Sequence, residues 1–137
     1  MIYFKYIKVD KINNVKDIKN WLKNVVLEEK KEIGEIVFIF CNDDYLLKKN
    51  IKYLNHNTFT DVISFDYSDK NITSGDIFIS TERVKENAIK YNVEFLKELH
   101  MVMVHGLLHL LKYNDKNQSD KKLMNNKENY YLKKRWN

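Results

Sequence analysis

Residues 93–111 read VEFLKELHMVMVHGLLHLL, and this stretch decides how the chain folds. From Leu99 onward, Met101, Val102, Met103, Val104, Leu107, Leu108, Leu110 and Leu111 leave no polar face. A helix that is apolar all round belongs inside a protein. The segment is therefore expected to be one long helix through the middle of the core. His100, His105 and His109 interrupt the apolar run, which is in any case too short to span a bilayer.

Working outward, the flanking segments supply the partners such a helix needs. Tyr3 to Val9 alternates β-formers with lysine and reads as an amphipathic strand. Val15, Ile18, Leu22, Val25 and Val26 recur at helical spacing, giving a helix to about Glu29 capped by Asn13 or Asn14. Gly34 punctuates, and Glu35 to Cys41 (EIVFIFC) is a near-continuous apolar run expected as a central strand. Asp43 and Asp44 open a short helix, and residues 55–60 (NHNTFT) are turn-like. Asp61 to Tyr67 and Asp76 to Ser80 are two further strands separated by an irregular loop, Ser68 to Gly75. Ser80 or Thr81 caps a helix to about Tyr91, and Ser119 or Asp120 starts the last one. The order β-α-β-α-β-β-α-α-α is an α+β domain, a small mixed four-stranded sheet packed by about five helices.

A chain of 137 residues fits a single domain spanning residues 1–137. Its 24 Lys+Arg against 19 Asp+Glu leave a net charge of +5, which favours polyanionic partners. Only Arg83 and Arg135 are arginines; lysine supplies the other cations, which suits loose attraction to phosphate better than bidentate clamping. The single cysteine, Cys41, rules out an internal disulfide and fits a reducing compartment. The N-terminal MIYFKYIKVD lacks a cationic region followed by an apolar run, so the chain reads as soluble and cytoplasmic. There is no proline, no linker and no internal repeat.

His105 and His109 lie four apart, about 40° from one another around a helix and one turn apart. That spacing lets two imidazoles converge on one cation. Gly106 removes a side chain where another backbone or a substrate could approach. If the helix ends near Leu111, the chain can fold back and deliver a third ligand: Asp115 first, with Asp120 or Asn114 as other candidates. Two histidines and one carboxylate with an open position suit hydrolysis, the metal site lying in a cleft beside the central buried helix. The plainer alternative is a pair of core histidines satisfied by ordinary neighbours, though both would be desolvated and in need of partners. The metalloprotease pattern HExxH requires Glu after the first histidine, and Gly106 stands there.

The run His105-Gly106-Leu107-Leu108-His109-Leu110-Leu111-Lys112-Tyr113-Asn114-Asp115 resembles the signature H-G-x-L-H-L-x-G-Y-D-H of the YbeY family of bacterial metal-dependent endoribonucleases. Thr60-Asp61-Val62-Ile63-Ser64-Phe65 is similar to the family's T-[DN]-V-[LI]-S-F strand, and Gly75-Asp76-Ile77-Phe78-Ile79-Ser80 to its G-D-[IL]-x-I-S strand. The likeness covers about residues 35–132. It implies an α+β fold with a divalent metal, Zn2+ by preference, at the floor of a cleft. It also implies single-stranded RNA as substrate, with a role in ribosomal RNA maturation and ribosome quality control. Metal ligation passes to His105 and His109. The family's third histidine is Asp115 here, a change that lowers the site's charge by one. The glycine after the second histidine is Lys112, and the family's Tyr-Arg pair reads Tyr53-Leu54. Lys48, Lys49, Lys52, His56 and Arg83 are candidates to replace the missing arginine.

The expected chemistry is metal-assisted hydrolysis of an RNA phosphodiester, with His105, His109 and Asp115 at its centre. His56, in a polar loop before the matched strand, is the candidate for proton transfer. His100, about 140° round the helix from His105, is expected to face the core or another helix. Asp61 and Asp76, at strand starts, read as structural or as supports for the ligands. Ser64 lacks a paired base, Cys41 reads as a buried small hydrophobe, and Tyr53, Phe59 and Tyr67 could stack on unpaired bases. Two competing readings remain at this point: a ribosome-associated RNA-binding factor with a structural metal, and a metallopeptidase.

Overall fold

The apolar run 35–41 does become an inner strand, because both of its faces are covered. Phe38 and Phe40 point into the larger core, while Ile39 and Cys41 point into a smaller one on the opposite face. The computed structural model describes residues 1–56 and 58–136. Asn57, inside the turn-like stretch 55–60, and Asn137 lie outside the described residues. Along the chain come β1 (Ile2–Tyr6), α1 (Val15–Glu28), β2 (Glu32–Cys41), α2 (Asp43–Leu54), β3 (Val62–Asp66), β4 (Ile72–Ser80), α3 (Thr81–Tyr91), α4 (Phe95–Leu110) and α5 (Gln118–Arg135). This is the expected α+β order. The sheet runs β1-β2-β4-β3, with β1, β2 and β4 parallel and β3 antiparallel to β4.

One face of the sheet carries α1 and α4. Ile18, Leu22, Val25 and Val26 of α1 meet Ile36, Phe38, Ile77 and Ile79 in a core that also takes in Leu99, Met103, Leu107 and Leu108 of α4. Helix α4 is therefore buried as its composition requires, and Met124, Tyr131 and Leu132 of α5 close over it. The opposite face is thinner, with Leu46 of α2 packed on Ile39, Ile63 and Phe78.

The ends of several elements depart from expectation for local reasons. Strand β1 stops at Tyr6, short of the expected Val9, and Lys8 turns left-handed (φ 56°). Gly34 does not punctuate; it sits inside β2, where an added Cβ would come within 2.1 Å of Ser74 Oγ on β4. Strand β4 begins at Ile72, so the loop expected to reach Gly75 is shorter and Asp76 is internal to a strand, opposite Val37 and Phe65. Asn14 caps α1 in a left-handed conformation without a side-chain bond. Side-chain caps occur at Asn42 before α2, Ser80 before α3 and Asn117 before α5, each accepting from a backbone N–H three residues on.

Candidate metal centre

Two features bring the site together. First, α4 packs tightly on β3 and β4 at Gly106. An added Cβ there would lie 2.7 Å from Ile77 Cγ2 and 3.2 Å from both Ser64 Oγ and Val62 Cγ2. Ser64 Oγ donates to the Gly106 carbonyl at 3.0 Å, which accounts for this serine structurally. The glycine thus makes room for the sheet rather than for a substrate.

Second, α4 ends abruptly. The Tyr113 amide donates to the Leu108 carbonyl and the Lys112 amide to that of His109, with Lys112 left-handed at φ 76°. This is a Schellman stop with lysine where glycine is favoured. It reverses the chain and returns Asp115 to the histidine face. His105 Nε2 and His109 Nε2 stand 3.1 Å apart, and Asp115 Oδ2 is 3.5 Å from each. The ligand-capable atoms all fall within 4.8 Å of one another, a grouping able to hold a metal ion. The donor set, two imidazole nitrogens and one carboxylate oxygen, matches three-ligand hydrolytic centres that keep a position open.

The three residues line a cavity of about 700 Å³. His56 and Leu54 line the same cavity, as do Asp61 and Phe59. Asp120 and Asn114, the other candidates for third ligand, are not among its lining residues. Of the proposed substitutes for a phosphate-handling cation, Arg83 is engaged elsewhere. It bonds Asp43 at 2.8 Å and Glu86 at 2.9 Å, and its guanidinium lies over the Phe59 ring. Lys49 sits over the Tyr45, Tyr53 and Phe78 rings, and Lys52 over Tyr53. Lys116, which the sequence reading did not single out, lines the cavity beside Asp115.

A larger omission is Glu128 on α5. It is buried, and Oε2 meets Nδ1 of His105 on the side of the ring away from His109. One signal existed in the sequence: Glu128 shares the buried stripe of Met124, Tyr131 and Leu132, so a carboxylate was due to enter the core. Burial opposes a charge on His105, but the hydrogen bond and charge of Glu128, then the charges of Asp115 and Asp61, raise its pKa above the ordinary range. His109 is shifted the other way, by burial and then by the neighbouring charge of His105. Burial raises the Asp61 carboxyl, which Asn87 Nδ2 meets at 3.4 Å. His100 turns into the core, as its helical angle predicts, between the rings of Trp21 and Trp136. Cys41 is fully buried, its thiol pushed up to about 12 chiefly by burial.

Comparison with known proteins finds relatives that match nearly the whole chain. The family model described as Endoribonuclease YbeY matches residues 3–135, further along the chain than the 35–132 read from motifs. The chain is 49% identical over 128 residues to the Endoribonuclease YbeY of Flavobacterium johnsoniae, covering 93% of this chain and 92% of that one. It is 50% identical over 133 residues to the protein of the same name in Flavobacterium psychrophilum, covering 97% and 95%. A solution structure of a Thermotoga maritima protein superposes with a TM-score of 0.74 at 26% identity, over 99% of this chain and 89% of that one. On this evidence the chain belongs to the YbeY family of endoribonucleases, which are hydrolases.

Proposed function

We propose that this protein is a single-domain, metal-dependent endoribonuclease that cuts single-stranded RNA, acting in the cytoplasm on ribosomal RNA during small-subunit maturation and ribosome quality control. The observation that supports it most is the convergence of His105, His109 and Asp115 in the lining of an open cavity. The names of the close relatives supply the substrate class. These three residues would hold the ion, with zinc the preferred one for an imidazole-rich set. A divalent ion there would supply Lewis acidity toward water and toward a phosphoryl oxygen.

The remaining roles fall to residues that line the same cavity. Lys116 is placed to steady a phosphate, in the part an arginine would play had Leu54 been one. His56 is proposed for proton transfer, since it lines the same cavity as the ligand group. Phe59 also lines the cavity, but the Arg83 guanidinium lies over its ring, and the Tyr53 ring packs with Phe65 beneath Lys49 and Lys52, so stacking on unpaired bases has less support. A peptidase reading loses ground here. The position where HExxH places its base is Gly106, and it faces β3 and β4 instead of the cavity.

The test is cleavage of an unstructured RNA, monitored on a denaturing gel with and without chelator. Cutting that stops on chelation, returns with added zinc and is abolished in His109→Ala supports the reading. RNA left intact by the zinc-loaded wild type, but still bound, would favour a binding factor. His56→Ala should slow cleavage while leaving zinc content unchanged.

A further inference from the structure

We propose that Glu128 is a positioning residue for the metal centre, fixing which nitrogen His105 presents and how strongly that nitrogen donates. The inference rests on the reading of His105 as a metal ligand. An imidazole can bind a cation through either nitrogen, and the hydrogen bond made by the other nitrogen decides which. His105 Nδ1 is taken by Glu128 Oε2, which leaves Nε2 as the atom facing His109 and Asp115.

Glu128 is itself held firmly. It is 7% exposed and shares its helix face with buried Met124, Tyr131 and Leu132. Its neighbour Lys127 and Tyr131, one turn on, both donate to Glu29 at the end of α1, tying the rotation of α5 to the body of the domain. Among the described residues, the hydrogen-bonding partner of this carboxylate is the His105 ring. In the neutral tautomer it selects, Nδ1 carries the proton toward Glu128 and the Nε2 lone pair points into the ligand group. The adjacent carboxylate also makes that lone pair more basic. Across the centre, two carboxylates, Asp115 and Glu128, face a charge of two on a divalent ion, so the assembly is balanced when loaded.

The experiment measures zinc affinity directly, by competition with a chromophoric chelator, in wild type, Glu128→Gln and Glu128→Ala. Thermal melts of the metal-free proteins run alongside. Loss of the partner should weaken zinc binding by about 10- to 100-fold in Glu128→Ala. Glu128→Gln keeps an acceptor for the Nδ1 proton without the charge, and should lose distinctly less. Nitrogen-15 spectra of the zinc-loaded wild type should show His105 protonated at Nδ1, a signature that merely structural damage would not alter in a chosen direction. If both variants remain folded and bind zinc within twofold of wild type, the proposal is wrong. Should Glu128→Ala fail to fold, the Gln variant and the wild-type tautomer decide alone. Wild-type protein that binds no zinc would instead overturn the metal reading itself, and this inference with it.

Discussion

Acid should destabilise this fold through His100, and the size of the effect follows from where the ring sits. His100 is 2% exposed on α4, with Trp136 Nε1 donating to Nδ1 at 2.7 Å and Nε2 without a partner among the described residues. Burial, with help from the charge of Arg135, lowers its pKa from the ordinary 6.5 to about 4. The sign is fixed by that direction. Between these two pH values the unfolded chain takes up a proton that the folded chain refuses. Stability is thus complete above about pH 6.5 and drains away as the pH falls toward 4, by about 3 kcal/mol in all. The perturbation is His100→Phe, which keeps a ring of similar size and cannot titrate. It forfeits the Trp136 hydrogen bond, worth about 1 kcal/mol at neutral pH. Urea unfolding of the metal-free proteins from pH 7.5 to 4 gives the two stabilities, and carboxylates and the other histidines cancel in the difference. The advantage of wild type over the variant should shrink by about 2–3 kcal/mol across that range, enough to reverse its sign. A difference that stays level within about 0.5 kcal/mol would show that the ring titrates normally, and the burial argument would fail.

Three further outcomes can be checked. Gly106→Ala gains about 1 kcal/mol of helix propensity but drives a methyl group to 2.7 Å from Ile77, and should lose about 1–3 kcal/mol by overpacking, read from urea midpoints. It should also lower metal affinity, because α4 must move off the sheet and take His105 with it. Lys112→Gly relieves a left-handed residue at the end of α4, while the exposed ion pair it loses with Asp66 is worth little. Its melting temperature should rise by about 2–4 °C, whereas β-branched Lys112→Val should fall. Glu29→Gln removes a carboxylate that accepts from Tyr113, Tyr131 and Lys127 and should cost about 2–3 kcal/mol at pH 7. Burial works against its charge but those bonds outweigh it and lower its pKa below 4.5, so the wild-type advantage should be present above pH 4.5 and fade below it.

The features visible from sequence alone are those governed by neighbours along the chain. Periodicity shows α1, the lack of any polar face shows that α4 is buried, and an apolar run with no polar alternation shows that β2 is covered on both faces. The spacing of His105 and His109 places two imidazoles together without any knowledge of the sheet. The start of β4 is hidden because Ser74 and Gly75 are poor strand formers; Thr73 pairs with β2, and Gly75 is held extended by pairing to both β2 and β3. Arg83 looked available because an ion pair with Asp43, forty positions away, leaves no trace in either local sequence. Glu128 was missed for a related reason. In a helix rich in lysine and asparagine a glutamate reads as solvated, and only its register with Met124 and Leu132 hints otherwise.

The charge distribution then separates two tasks within one small domain. The chain as a whole is basic at +5, yet the ligand group and its surroundings carry Asp115, Asp61 and Glu128. Added to these is the negative end of α4, whose last turn contains His109. A polyanion drawn in by surface lysines therefore meets a floor that repels phosphate, with Lys116 the one Lys or Arg among the described lining residues. A divalent cation at the three ligands would cancel most of that local negative charge. Metal and RNA should consequently bind with positive coupling, and linkage makes the effect mutual. Titration of an uncleavable 2′-O-methyl RNA with and without zinc measures it. Affinity should rise severalfold with zinc in the wild type and stay unchanged in His109→Ala. Equal affinity in the presence and absence of zinc would mean that the strand binds on the lysine surface without reaching the histidines.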